Sequence, residues 1–312
     1  MAITTILGAG GSVSNELAKI LTASKEPYRL VGRNPRPHAG AEVVAADIAD
    51  PEQALRAVSG SNVVYLVAGL KYDSNLWRAM WPRIMGNVIE ACKQAQAKLI
   101  FLDNVYMYGK VSGPMTEETP YSPLSIKGEV RAHIANMLMS EVKSGNLTAM
   151  IARAADFYGP DAANGLPNVL VFGAFAQGST ASWLVDDTLP HSLTFVPDVA
   201  RGLASLAGHE SAWGQIWHLP TAAPALTGKQ FITLTAKEFA VPPKYRVMKR
   251  PILKLVGWFN PLVRESYEML YQNDSPYLFD STKFAREFDF AGTPYAEGIR
   301  ITASAYKSGN KP

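Results

Sequence analysis

The sequence predicts an α/β fold built on a doubly wound parallel sheet, with a smaller C-terminal lobe interleaved with it. Short apolar runs alternate with segments of helical periodicity over about the first 150 residues. The runs are apolar almost throughout, as in parallel strands that helices cover on both faces. A glycine-rich turn joins the first apolar run to the first helical segment.

The elements of the first part follow from this alternation. Six strands are predicted, at residues 3–7, 28–32, 41–46, 62–68, 98–103 and 147–153. Apolar residues at helical spacing predict a helix after the first strand, from Val13, Leu17, Ile20 and Leu21. The same spacing predicts a longer helix before the fifth strand, from Trp77, Met80, Trp81, Ile84, Val88 and Cys92.

The pattern becomes irregular after about residue 160, where GPDAANGLPN (159–168) is a typical loop sequence. Apolar strands return at 192–196 and 214–219. A chain of 312 residues exceeds the usual size of a single core. We therefore expect one domain over residues 1–160 and a lobe over 161–312, with 192–219 returning to the first domain.

The composition excludes several classes of protein. An apolar content of 47% and a charged content of 18% are typical of a soluble globular protein. The net charge is only +3 and no Lys/Arg-rich run occurs, so neither a nucleic acid nor a membrane is expected as a partner. Cys92 is the only cysteine and the five histidines lack ligand spacing, which predicts a reducing compartment and no metal. Without a signal peptide or a membrane-length apolar run, the protein is expected to be cytoplasmic.

The glycine-rich turn predicts a phosphate site. Gly8, Gly10 and Gly11 permit a tight turn in which backbone N–H groups approach an anion closely, and Ser12 and Val13 open the helix that follows. The start of a helix adds unpaired N–H donors and partial positive charge. After the first strand of a doubly wound sheet, this turn is typical of Rossmann dinucleotide binding.

The end of the second strand favours NADP(H) over NAD(H). NAD sites usually place a carboxylate there, which accepts a hydrogen bond from the ribose 2′-hydroxyl. Here Gly32 is followed by Arg33 and Asn34, with Arg36 nearby. A guanidinium suits a 2′-phosphate, because it makes forked, charge-assisted hydrogen bonds. The alternative is that Arg33 is an ordinary solvated arginine.

These motifs together resemble the extended short-chain dehydrogenases/reductases, the NAD(P)-dependent epimerase/dehydratase group. GAGGSVS (8–14) resembles their GxxGxxG turn, with Ser14 in place of the third glycine. The resemblance implies that Asp47 and Ile48 contact the adenine. It also implies that the turn after the fourth strand passes the cofactor, with Val67, Ala68 and Gly69.

The resemblance extends over most of the chain. RAADFYGP (153–160) resembles the family segment beside the nicotinamide, which implies cofactor contacts for Ala154 and Phe157. TFVPDVARGL (194–203) and the segment 279–300 are similar to later family motifs. These motifs are specific for the family and not for a substrate.

The family's catalytic residues are only partly matched. In FLDNVYMYG (101–109), Asn104 occupies the place of a hydroxyl that polarises the substrate. An amide can donate a hydrogen bond to a carbonyl but cannot relay a proton as the hydroxyl of Ser or Thr can. The family's YxxxK motif is similar to residues 123–127, where Lys127 matches the lysine but Pro123 stands in place of the tyrosine. The resemblance implies that Lys127 holds the nicotinamide ribose, while the usual acid/base is missing.

Three explanations are open for the missing tyrosine. Another phenol reaches the site, from Tyr121, Tyr106 or Tyr108, although Tyr108 matches a structural Tyr-Gly pair of the family. Alternatively Lys127 itself acts, as in the resembling isoflavone-reductase-like proteins. In the third explanation the chain binds the cofactor without chemistry, as NmrA-like nucleotide sensors do.

The C-terminal lobe, which in this family binds substrate, favours a neutral or hydrophobic compound. No Lys or Arg lies between Ala154 and Ala200. Two buried phosphate charges without cations would be costly. The segment instead contains apolar residues, of which about half are expected in the core and the rest in a pocket: Phe172, Phe175, Trp183, Leu184 and Phe195. The basic run at 244–254 could still reach an anionic group.

The sequence therefore predicts an NADP(H)-dependent oxidoreductase for a neutral or hydrophobic carbonyl or alcohol. Asn104, Lys127 and Tyr121 are its candidate catalytic residues. The alternatives are an NmrA-like regulator that binds NADP(H) without turnover and a nucleotide-sugar epimerase. A monomer or a homodimer is expected, since family members commonly pair through the helices predicted here at 75–96 and 123–144.

Overall fold

A computed structural model describes residues 3–309 of the chain. The chain divides into two compact units. The first comprises Met1–Met107, Ile126–Arg153 and Ala200–Trp217, and the second comprises Tyr108–Ser125, Ala154–Val199 and His218–Pro312. Among the described residues, no helix is both long and apolar enough to cross a membrane.

The elements follow one another along the chain. The first part contains β1 (Ile3–Leu7), α1 (Ser12–Ala23), β2 (Tyr28–Gly32), β3 (Ala41–Ala45), α2 (Pro51–Val58), β4 (Ser61–Leu66), α3 (Ser74–Ala95), β5 (Lys98–Asp103), α4 (Ile126–Lys143) and β6 (Ala149–Arg153). The second part contains β7 (Asp156–Tyr158), α5 (Gly173–Ala176), β8 (Ala181–Leu184), β9 (Pro190–His191), β10 (Leu193–Phe195), α6 (Val196–Ala207), β11 (Ile216–His218), β12 (Leu226–Thr227), α7 (Gly228–Phe239), β13 (Tyr245–Met248), α8 (Arg250–Phe259), α9 (Pro261–Ser266), α10 (Thr282–Phe288) and α11 (Tyr295–Lys307).

The first unit is organised around a mostly parallel seven-stranded sheet in the order β11-β6-β5-β4-β1-β2-β3. Strand β1 lies between β2 and β4, with Leu7 opposite Val31 on one side and Leu66 on the other. All five residues of β6 are buried, as expected for a strand covered on both faces. The predicted doubly wound parallel sheet is thus confirmed. Its carboxyl-terminal edge brings the turns after β1, β2 and β4 together.

The predicted strands occur with small shifts at their ends. Strands β1, β2 and β5 have the predicted bounds, whereas β4 ends at Leu66 and β6 begins at Ala149. Of the two late strands, β11 joins the seven-stranded sheet, whereas β10 pairs with β7 in the second unit. The division of the chain at residue 160 stays a proposal.

The second unit has its own core, beside three two-stranded sheets. Tyr158 is fully buried there and lies against the rings of Phe195, Phe231 and Tyr295. Helix α11 approaches so closely that a Cβ on Gly298 would lie 2.3 Å from the Tyr158 hydroxyl oxygen. Glycine at this position lets the helix pack against the core.

Cys92, on α3, lies entirely inside the first unit. Burial raises the pKa of its thiol to about 12. A buried thiol that stays protonated acts as a small apolar side chain.

Candidate functional site

The turn after β1 is held in place by the neighbouring strands. The N–H groups of Gly8 and Ala9 both donate to the Val31 carbonyl oxygen, at 2.9 Å. Gly8 has a φ of +127°, and a Cβ there would lie 2.7 Å from Ala68 Cα. Only glycine therefore fits between β1 and the segment after β4.

The start of α1 is left open to an anion. The N-terminal cap residue is Gly11, which has no side chain to cap the helix, and the first turn contains no acidic residue. The first N–H groups of a helix have no partner inside it, which suits a phosphate. The Val13 side chain is buried, so only its backbone N–H could face such a ligand. The glycine cradle and the uncapped helix start fit the pyrophosphate of a dinucleotide.

Ser14 replaces the third glycine of the family turn. It is 1% exposed, and its Oγ has no hydrogen-bond partner among the described residues. A buried hydroxyl without a partner is costly, so the substitution weakens this helix start rather than strengthening it.

Arg33 lies at the edge of the turn. It directly follows β2, and a Cβ on the preceding Gly32 would lie 3.2 Å from the Cβ of Ala9. The Arg33 side chain is exposed, so it is available to a ligand at this edge.

The other predicted cofactor residues of the first unit surround the same sheet edge. Asp47 and Ile48 follow β3 and are partly buried; Asp47 Oδ1 accepts from the Ala49 N–H at 3.0 Å. The Val67 N–H donates to the Leu7 carbonyl at 3.0 Å, which holds the segment after β4 against β1. Gly69 is exposed, with open space where a Cβ would lie.

Lys127 is fully buried at the start of α4. Its Nζ donates to Ser74 Oγ at 2.7 Å and lies 4.4 Å from the centroid of the Tyr72 ring. Such a contact between an ammonium and an aromatic face is favourable, and more so away from water. Sequence reasoning missed both Tyr72 and Ser74. The available signal was Asp73, whose side chain accepts from the Leu76 N–H and so caps the N-terminus of α3. Tyr72 and Ser74 are its neighbours, in the segment that follows the carboxyl end of β4.

Hydrogen bonds with the neighbouring residues Asp103 and Tyr106 orient Asn104. The Tyr106 N–H donates to Asn104 Oδ1 at 3.0 Å, and the Asn104 N–H donates to Asp103 Oδ1 at 2.9 Å. Because a backbone N–H can only donate, the amide atom facing Tyr106 must be the oxygen. The Nδ2 group is therefore the end of Asn104 that donates to a ligand.

Asp103 belongs to a buried charged cluster beneath this position. Its carboxylate lies 2.9 Å from Arg131 Nε and 3.8 Å from Arg153 Nε. Burial raises the pKa of the Asp103 carboxyl, while the guanidiniums of Arg131 and Arg153 oppose that change. The Arg131 guanidinium also lies 4.5 Å from the Trp81 ring centroid. This cluster joins the ends of β5 and β6 to α4 and holds the backbone beside Asn104.

The three phenols predicted as replacements have different surroundings. Tyr106 stacks on Trp77 in the first unit, with 6.3 Å between ring centroids. Tyr108 is buried in the second unit, and its hydroxyl lies 2.8 Å from His218 Nε2. Tyr121 is half-buried and packs against Tyr108, with 6.0 Å between ring centroids. The contact with His218 gives Tyr108 a structural role.

Ala154 and Phe157 both lie in the second unit. Ala154 is 1% exposed, and the next residue, Ala155, donates its N–H to Thr194 Oγ1 at 3.1 Å. Phe157 is the middle residue of β7 and pairs with Thr194 of β10. The segment that resembles the nicotinamide motif is therefore a strand of the second unit.

The apolar residues expected to line a substrate pocket are all in the core. Each of the five is at most 9% exposed: Phe172, Phe175, Trp183, Leu184 and Phe195. The expectation that about half of them line a pocket is therefore wrong. Aromatic residues at short spacing pack against α7 and α11, a contact that the local sequence does not reveal.

The basic run reaches the segment that lacks cations. Strand β13 pairs with β8, and Arg246 Nε donates to Ser182 Oγ at 3.4 Å. Lys249 Nζ donates to the Val185 carbonyl at 2.8 Å. The surroundings of β8 therefore contain cations that residues 155–199 themselves do not supply.

Comparison with known proteins places this chain among relatives of similar fold. The model of the NAD dependent epimerase/dehydratase family matches residues 4–217. Comparison of the sequence with curated proteins gave no match.

Three solved structures illustrate the similarity of fold. MoeE5 in complex with UDP-glucose and NAD is 18% identical, with a TM-score of 0.81 over 99% of this chain and 100% of that chain. DesIV, the dTDP-glucose 4,6-dehydratase from Streptomyces venezuelae, is 16% identical, with a TM-score of 0.79 over 99% and 98%. The UDP-N-acetylglucosamine 4-epimerase from Bacillus cereus is 14% identical, with a TM-score of 0.78 over 97% and 96%.

At these identities the structures show a shared fold, while the family model covers well over half of the sequence. The glycine turn, the retained Lys127 and this match agree. The chain belongs to the NAD-dependent epimerase/dehydratase family.

Proposed function

We propose that this chain is an NADP(H)-dependent oxidoreductase that acts on a neutral or hydrophobic carbonyl or alcohol. The observation that carries the proposal is the position of exposed Arg33 beside the turn between β1 and α1. A guanidinium at this edge suits a 2′-phosphate, and no carboxylate takes the place that an NAD site would use.

The proposed cofactor contacts follow the sheet edge. The backbone N–H groups of Gly10, Ser12 and Val13 would hold the pyrophosphate, with Gly8 and Gly11 supplying the close approach. The Gly11 N–H itself donates to the Gly8 carbonyl oxygen at 3.3 Å. Arg33 would bind the 2′-phosphate, and Asp47 with Ile48 the adenine. The segment Val67, Ala68 and Gly69 would pass the cofactor, and Lys127 would hold the nicotinamide ribose.

The proposed chemistry is the interconversion of a carbonyl and an alcohol. A bound NADPH would supply the hydride that the carbonyl carbon accepts. Asn104 would donate a hydrogen bond from Nδ2 to the carbonyl oxygen. A proton must then reach that oxygen, from Tyr121, Lys127 or water.

Tyr72 is a further proton source, because its ring lies against the Lys127 ammonium. In the family's YxxxK motif a lysine likewise lies beside the tyrosine that transfers the proton. Ser74, which accepts from Lys127, would hold the ammonium in that place.

The proposed substrate class rests on charge. Residues 155–199 contain no Lys or Arg, and five aspartates occur between 156 and 198. This background favours an uncharged compound, because an unpaired buried phosphate costs several kcal/mol. Arg246 and Lys249 lie beside β8 and supply positive charge there. The charge argument therefore applies to the rest of residues 155–199.

The test is direct transfer of deuterium. The protein is incubated with a panel of aldehydes and ketones and with NADPH that carries deuterium on one or the other face of C4. Deuterated alcohol from one of the two labelled cofactors is the expected result. Tight NADPH binding with no transfer across the panel, together with a partner protein whose binding depends on the redox state, would support the NmrA-like regulator instead.

A second candidate is an enzyme acting on a nucleotide sugar. The contact of Arg246 with β8 favours it, since a diphosphate requires cations in this unit. Calorimetry with UDP-sugars separates the two candidates. Tight binding that Arg246→Gln abolishes would replace the neutral-substrate proposal, whereas no binding would support it.

A further inference from the structure

A short helical segment of the second unit exposes an unusual amount of apolar surface. Helices α8 and α9, joined at Asn260, expose five large apolar residues by 51 to 84%: Ile252, Leu255, Trp258, Phe259 and Leu262. Trp258 and Phe259 are the most exposed, at 71% and 84%. We call these five residues the apolar patch. Exposed apolar residues grouped in this way are typical of interaction surfaces.

The apolar patch faces away from the core for a structural reason. Leu253 is 4% exposed and belongs to a small core cluster with Leu184 and Leu270. Gly257, one turn later, is buried where α8 meets α9, and a Cβ there would lie 3.3 Å from Arg264 Cα. Because α8 packs through these two positions, Ile252, Leu255, Trp258 and Phe259 lie on the outward side. The face of α8 that contains Leu253 and Gly257 is therefore already packed against other residues of the second unit.

The charge of the segment that carries the patch is mostly positive. Residues 239–266, which include both helices, contain one acidic residue, Glu265. They contain six cations: Lys244, Arg246, Lys249, Arg250, Lys254 and Arg264. Arg250 is paired with Asp274, and Lys249 lies near the Asp186 carboxylate, so part of this charge is offset. Lys254 and Arg264 are the cations on the two helices themselves besides Arg250, and the segment keeps a net positive charge. A partner that covers the patch should therefore present negative charge at its surface and apolar groups below that charge.

We propose that the apolar patch inserts into the surface of an anionic lipid membrane. Helices that lie in the interface combine Trp, Phe and Leu on one side with Lys and Arg around them. Helix α8 has ten residues, far too few to cross a bilayer, so the attachment is peripheral. This inference replaces the expectation that no membrane is a partner.

A second copy of the chain is the weaker occupant. A symmetric dimer through the patch would place the same surface on both sides. Two segments with a net positive charge would then face one another, and like charges across an interface oppose association. Anionic headgroups instead neutralise the charge while the acyl chains cover Trp258 and Phe259.

The test is co-sedimentation of the full chain with vesicles. Phosphatidylcholine vesicles containing phosphatidylglycerol are compared with vesicles of phosphatidylcholine alone. We expect binding to the anionic vesicles, weakening as salt shortens the Debye length from about 10 Å at 0.1 M to about 3 Å at 1 M. Equal binding to both vesicles, or no binding to either, would overturn the proposal.

Two variants separate the apolar and the charged contributions. Trp258→Ser with Phe259→Ser should lower the affinity for anionic vesicles at least about tenfold. Lys254→Gln with Arg264→Gln should lower it about 25-fold, since each cation near such a surface contributes about a factor of five.

Matched controls use similar residues outside the segment. Val169→Ser and Leu124→Ser remove side chains that are 55% and 58% exposed, and Lys25→Gln with Lys143→Gln removes two exposed cations. Vesicle affinity should be unchanged in the controls, and circular dichroism verifies the fold of each variant. Equal losses in the controls would contradict the proposal. So would a dimer, seen by analytical ultracentrifugation without vesicle binding, that Trp258→Ser with Phe259→Ser dissociates.

Discussion

Lys127 is fully buried at the start of α4, four residues after Pro123. The ammonium is not left without contacts, because Ser74 Oγ accepts from it and the Tyr72 ring covers it. Ser74 is the first residue of α3 and Tyr72 lies two residues before it, so both are far along the chain from α4. At the scale of single residues, Ser74 and Tyr72 thus hold the Lys127 ammonium, and its role toward a cofactor stays a prediction.

Arg33 should decide which dinucleotide binds. Arg33→Asp is expected to weaken NADP⁺ binding by about ten- to a hundredfold, since the loss of a charged hydrogen-bond partner costs about 1.5–3 kcal/mol. NAD⁺ has no 2′-phosphate, so its affinity should change far less. Isothermal titration with both dinucleotides measures the difference. Arg56→Asp, at another exposed arginine of the first unit, is the control, and equal losses for both dinucleotides would argue against the assigned role.

Tyr72→Phe tests whether this phenol supplies the proton, and it rests on the proposed function. Phenylalanine keeps the aromatic face toward Lys127 and removes only the hydroxyl. If Tyr72 is the acid, kcat should fall by about 10²–10⁴ with little change in KM, and the pH profile of kcat should change with it.

Tyr121→Phe is the matched variant for that experiment. A fall in kcat for Tyr121→Phe alone would assign the proton to Tyr121 and exclude Tyr72. If neither variant loses activity, Lys127 or water is the remaining source.

At the scale of elements, α11 packs where glycine leaves room for a tyrosine. Gly298→Ala would place a methyl group 2.3 Å from the hydroxyl oxygen of Tyr158, and the surrounding rings prevent that side chain from moving aside. We expect a loss of about 1–3 kcal/mol in the free energy of unfolding.

Urea denaturation followed by circular dichroism measures this loss. Ser304→Ala, at an exposed position of the same helix, should stay within about 0.5 kcal/mol of the wild type. An unchanged midpoint for Gly298→Ala would mean that α11 shifts to accept the methyl group.

The elements that could be predicted are those with a clear period. Strands β1, β2 and β5 match their predicted bounds because continuous apolar runs end at glycine or polar residues. The run NVLVF (Asn168–Phe172) is equally apolar but forms a π-helix whose buried members face α7 and α11. Nothing local distinguishes these cases, because the partner that buries each run is distant in sequence.

At the scale of the whole molecule, the phosphate turn could be predicted and the surroundings of Lys127 could not. Glycines that follow a strand can be interpreted from the nearby sequence alone, because the backbone conformation of a turn and the start of a helix depend on neighbouring residues. The contact between Lys127 and Tyr72 joins residues 55 positions apart and exists only once α3 and α4 pack. The exposure of Trp258 was equally hidden, because the amphipathic pattern does not tell which face remains outside.

The enclosed thiol of Cys92 has a practical consequence. With its pKa raised to about 12, the folded chain has almost no thiolate to react with a maleimide at neutral pH. A cysteine introduced at the exposed Ser304 would then carry a fluorophore or spin label alone, without prior removal of the natural one. Because Cys92 is buried, the slow rate of its alkylation would measure how often α3 opens.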